Sequence, residues 1–81
     1  MGRLHEVRKM IVTVYANDHL PPHFHVTNPD REALVSIETM EVLRGEVPKG
    51  AHGRKAMLWA VANRNKIGAE WNRINPRFAT V

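Results

Sequence analysis

Three of the five histidines in this 81-residue chain, His19, His23 and His25, lie within seven positions of one another in the stretch NDHLPPHFHV (17–26), beside Asp18. Residues two apart on a strand share a face, with Cα atoms roughly 6.5–7 Å apart, so His23 and His25 could reach one ion. A zinc-like centre needs a third ligand and commonly a fourth. His19 or Asp18 would supply them if Pro21 and Pro22, whose φ angles are fixed, turn the chain back. The expected ligand set is therefore Asp18, His19, His23 and His25 around a divalent metal such as zinc. The same imidazoles have a metal-free use, as general acid and base on a phosphodiester, with Arg or Lys holding the phosphate. They also have a purely structural use, packing on neighbours and bonding backbone carbonyls. The spacing leaves all three open.

The elements that must position them are readable from the apolar pattern. MIVTVYA (10–16) is rich in β-branched residues and ends at the turn formers NDH, so it predicts a strand. HFHVT (23–27) and EALVSIE (32–38) alternate polar and apolar around the turn NPDR, which predicts a hairpin. Pairing Thr27 with Glu32 sets Phe24 opposite Val35 and Val26 opposite Ala33, while His25 faces Leu34 and His23 faces Ser36. TMEVLRGEVP (39–48) predicts a short strand or turn closed by Gly45 and Pro48.

From about Gly53 to Ile74, Met57, Ala60, Val61, Ile67, Trp71 and Ile74 recur at helical spacing, which predicts an amphipathic helix covering the sheet. Lys55, Lys66 and Arg73 align on its other side as a candidate nucleic-acid or phosphate contact; a solvated outer face is the plainer use of such a stripe. Arg64 falls inside the apolar arc and Trp59 outside it, so a break near NRN (63–65) would let Trp59 turn inward. NPRFATV leaves the helix at Pro76 and reads as a tail. The expected organisation is one α+β domain over 1–81. It has an antiparallel sheet of three to four strands (about 8–47), a C-terminal helical segment (about 50–74) and a short tail.

Length and charge bound what such a domain does. A chain this short buries a modest core and leaves little room for a deep substrate cavity. It has no cysteine, which excludes disulfides and cysteine-ligated zinc and is compatible with a reducing, cytoplasmic setting. No apolar run reaches membrane-spanning length, so no membrane association is expected. Residues 1–48 carry 5 Lys and Arg against 7 Asp and Glu, while 49–81 carry 7 against Glu70 alone. That positive half favours a polyanion, RNA or DNA, or an acidic protein.

Known histidine signatures do not fit. A histidine-triad hydrolase needs another alternating histidine where Pro21 stands, and a cupin needs a glycine before His23 and an earlier carboxylate than Glu32.

VYANDHLPPHFHV (14–26), EALVSIETMEVLRGEVP (32–48) and the segment holding Trp59 and Trp71 together resemble the bacterial family named domain of unknown function 4160, over nearly the whole chain. The resemblance implies a small α+β fold, a bacterial or phage origin and a small protein encoded next door, in the manner of toxin–antitoxin pairs. It implies a recognisable motif at Asp18, His19, Pro22, His23, Phe24 and His25, and no assigned activity.

Two readings follow. In one, the chain is a binding module: the histidine face and basic helix contact a metal, a phosphate, nucleic acid or a partner protein without turnover. In the other, it is a ribonuclease-like toxin in which His23 and His25 are the acid–base pair, Asp18 or His19 orients them, and Lys55, Lys66 or Arg73 holds phosphate.

Overall fold

A computed structural model describes residues 2–7, 9–16 and 19–79. Its sheet is an antiparallel meander of Gly2–Val7 (β1), Met10–Val14 (β2), His23–Thr27 (β3), Glu32–Ser36 (β4) and Val42–Gly45 (β5), each strand beside the next in sequence. Two helices follow, Ala51–Ala62 (α1) and Arg64–Ile74 (α2), then a 3-10 turn at Pro76–Phe78. Among the described residues no helix is long and apolar enough to cross a membrane.

The fold is α+β with an antiparallel sheet, as expected, but the sheet has five strands where three to four were predicted. The addition is β1. It is an edge strand whose register shifts between Arg3 and His5, and this irregularity interrupts the two-residue alternation by which a strand is recognised. Beyond it the pairing follows the predicted register: Phe24 opposite Val35, Val26 opposite Ala33, His25 opposite Leu34, His23 opposite Ser36.

Val12, Val14, Phe24, Val26, Ala33 and Val35 form the inner face of the sheet, and all are fully buried. Ala56 and Ala60 of α1 and Ile67 and Trp71 of α2 close over them. Each fully buried Val, Ile or Phe contributes about 1.5–3 kcal/mol, and Trp71, as the largest side chain in the core, more. Small residues let α1 approach closely: a Cβ on Gly53 would lie 1.7 Å from the carbonyl oxygen of Pro48.

The single helical segment divides at Asn63. Its backbone N–H reaches the carbonyls of Trp59 and Ala60, and its side-chain amide donates to Trp59 O at 2.8 Å, satisfying the last carbonyls of α1. Asn63 O then accepts the N–H of Ile67 and opens α2. The break turns Trp59 onto His5 of β1, rings parallel within 8° and centroids 4.4 Å apart.

Arg64, out of place in the apolar arc, has a structural task. Its Nε and Nη2 donate to the carbonyls of Ile37 and Glu38 at 2.7 and 2.9 Å, tying α2 to the end of β4. The expected tail is part of the fold as far as Phe78, since Trp71 Nε1 donates to Phe78 O at 2.9 Å and Asn75 donates its amide to Tyr15 O at 2.9 Å.

Candidate functional site

His23 and His25 leave β3 on one side because a strand turns each second residue to the same face. Pro21 and Pro22 precede them, and Pro22 O accepts the N–H of Ile37 at 3.1 Å, which fixes the turn to the end of β4. The turn brings His19 back over the strand. The three imidazoles form a row, His19 to His23 with ring centroids 5.1 Å apart and His23 to His25 with 5.2 Å. Tyr15 closes the row edge-on to His25 at 4.6 Å, and Trp71 lies 5.5 Å from His23.

The three differ in environment. His19 is exposed and His25 half-buried, whereas His23 is 1% exposed. A buried imidazole is costly without hydrogen bonds. His23 Nδ1–H donates to the carbonyl oxygen of Pro21 at 2.8 Å, so that nitrogen carries a proton. His25 Nδ1 is 2.9 Å from Glu32 Oε2, and here too Nδ1–H is the donor. A carboxylate behind an imidazole fixes the ring's orientation and tautomer, an arrangement shared by metal-ligating and general-base histidines.

Glu32 stands too late in the sequence for a cupin carboxylate and was not among the expected site residues, yet the signal was present. With Thr27 opposite Glu32, the carboxylate stands diagonally across from His25 on the same face, within reach of a long side chain. Tyr15 was missed because an aromatic at the end of an apolar strand reads as core.

Of the expected metal set, His19, His23 and His25 come together; Asp18 lies outside the described residues. Among the described residues no group of three or more histidines and carboxylates is arranged to hold a metal ion.

The expected cationic stripe does not run along one helix, because the break at Asn63 puts Lys55 on α1 and Lys66 and Arg73 on α2. Lys66 Nζ sits 5.9 Å from the centre of the Trp59 ring. Arg73 forms a two-pronged pair with Glu70, Nε to Oε1 at 2.9 Å and Nη2 to Oε2 at 2.7 Å. Hydrogen bonding to Arg73, reinforced by its charge, holds the Glu70 carboxyl below the usual carboxylate range against the opposing effect of burial. The Arg73 charge is thereby compensated locally, whereas Lys55 and Lys66 are both exposed and neither has such a carboxylate partner among the described residues. A groove of about 400 Å³ lies between Ile37, Glu38 and the α2 residues Arg64, Asn65, Gly68, Ala69 and Asn72. The imidazole row does not line it.

The family model for the domain of unknown function DUF4160 matches residues 10–72, which runs from the first residue of β2 nearly to the end of α2. The chain belongs to this family. The DUF4160 match takes in the whole imidazole row with Tyr15, Glu32 and Trp71, as well as Lys55 and Lys66, and stops one residue short of Arg73. Outside it lie the whole of β1, with His5, and the turn that docks on Trp71. No curated protein and no solved structure matches the chain.

Proposed function

We propose that this DUF4160 chain is a small cytoplasmic binding module, toxin–antitoxin-like in character, in which the histidine face takes a ligand suited to imidazole and the basic helices meet a partner. The ligand is a divalent metal such as zinc, or a phosphate, reached through His19 and His25, with Asp18 as a further donor. Lys55 and Lys66 provide the positive charge toward a protein or nucleic acid.

The observation that supports binding over turnover is the burial of His23. A general acid or base must come within hydrogen-bond reach of the proton it moves. An imidazole 1% exposed, bonded to Pro21 O and packed near Trp71, is suited to supporting its neighbours rather than meeting a substrate.

The test is a titration of the whole chain with zinc, nickel or manganese at neutral pH, followed by calorimetry and by the ring resonances of the histidines. Binding tighter than millimolar that moves His19 and His25, and weakens in His19→Ala, is the expected result. Silence in both measurements removes the metal. Retention of RNA at about 50 mM salt, lost in Lys55→Glu with Lys66→Glu, would place nucleic acid as the partner.

The ribonuclease reading has one observation in its favour, the Glu32–His25 pair, which has the geometry of an oriented base. RNA cleavage by the pure chain that disappears in His25→Ala would establish it in place of the binding module.

A further inference from the structure

Helix α1 is apolar on two sides. Gly53, Ala56 and Ala60 face the sheet and are buried. Leu58 and Val61 point outward at 64% and 58% exposure, the two most exposed large hydrophobic side chains described. Standing three residues apart, they are neighbours on the helix surface. Arg54 and Lys55 lie one turn before Leu58, and both are exposed. The helix contains no acidic residue, and the only carboxylate side chain in residues 49–81, Glu70, is already engaged by Arg73. A helix serving only its own fold places polar residues on its outer face. Here that face is an apolar pair with a cationic rim.

Three kinds of surface could cover such a pair, and charge decides among them. A second copy of the chain would bring the same cations toward Arg54 and Lys55, with no carboxylate on either α1 to offset them. A lipid surface needs a broad apolar face along the helix, and two outward side chains on α1 do not make one. A protein segment with apolar anchors at helical spacing and Asp or Glu beside them satisfies both the pair and its rim.

We propose that the outer face of α1, centred on Leu58 and Val61 and flanked by Arg54 and Lys55, is the docking surface for an acidic amphipathic helix of a partner protein. This names the partner class within the binding-module reading and is independent of what the histidines hold.

The experiment titrates the full chain with a designed helical peptide carrying Leu at i, i+3 and i+7 and Glu on both flanks. A control peptide has Lys in place of each Glu. Calorimetry gives the affinity, and backbone resonances give the location. The acidic peptide should bind, shift Arg54, Lys55, Leu58 and Val61, and weaken as salt rises. The Lys peptide should not bind. Leu58→Glu with Val61→Glu should reduce affinity at least tenfold while leaving the Trp71 resonances in place, since both side chains are outside the core. Equal binding of the two peptides, or none up to millimolar, overturns the proposal. So does a chain that dimerises alone in sedimentation and becomes monomeric in the double variant, or one that is released from anionic phosphatidylserine vesicles by the same change. A zinc titration of the double variant separates the two sites: an unaltered zinc response with lost peptide binding confines the effect to α1.

Discussion

His25 and Glu32 meet diagonally across the β3–β4 pair, the imidazole Nδ1–H donating to the carboxylate at 2.9 Å. The contact sets which ring nitrogen of His25 carries the proton. Glu32 is half exposed, so the pair is nearly neutral for stability, at most about 1 kcal/mol. Its consequence is orientation. In Glu32→Ala a larger share of neutral His25 should carry its proton on Nε2, whereas Glu32→Gln keeps an acceptor and should hold more of the Nδ1–H form. Ring ¹⁵N shifts distinguish the two, and an identical tautomer ratio in wild type and Glu32→Ala would contradict the assigned role.

Trp71 joins the core, the histidine row and the docked C-terminal turn. Truncation to Ala should cost about 3–5 kcal/mol, a large part of the roughly 5–15 kcal/mol a domain has. Trp71→Phe keeps most of the apolar contact and removes the bond to Phe78 O, worth about 1 kcal/mol. Urea unfolding should rank wild type, Phe and Ala in that order. Amide exchange around Phe78 should rise in the Phe variant before global stability falls far.

At Gly53 helix propensity and packing oppose one another. Ala is favoured over Gly in a helix by about 1 kcal/mol, but the added Cβ would sit 1.7 Å from Pro48 O, so the start of α1 must move. Packing should win, and Gly53→Ala should lower the urea midpoint. A raised midpoint would show that residues 47–50 yield at little cost.

The Glu70–Arg73 pair carries a pH signature. Because the folded-state pKa of Glu70 is depressed, its contribution is complete above the unfolded carboxylate value and is lost as pH falls through the lower folded one. Glu70→Gln should therefore flatten the acid limb of stability against pH, with its loss of stability largest near neutrality and vanishing in acid, where Glu70 is protonated anyway. Arg73 is largely exposed, so solvent screening keeps the effect small, and high salt should shrink it further.

The strand alternation, the NPDR turn and the helical spacing determined the β3–β4 register, the shared side of His23 and His25, and the burial of Phe24, Val35 and Trp71. These are properties of near neighbours along the chain: a two-residue period assigns faces, and a four-residue turn fixes which positions meet. The irregular edge strand β1 escaped that logic because a register shift breaks the period. The division at Asn63 was hinted at by Arg64 and Trp59 standing on the wrong arcs, but their partners, Ile37, Glu38 and His5, are far away in sequence.

Only the tertiary structure decided that His23 is an interior residue, that His19 folds back over it, and that Arg73 spends its charge on Glu70. Burial is a sum over elements that meet late, here a strand start and Trp71 of α2, and ion pairing depends on helix phase once the helix has broken. Three histidines in one motif thus became one buried support and two outer imidazoles. The motif set their side of the strand; the packing of α2 set which of them water can reach.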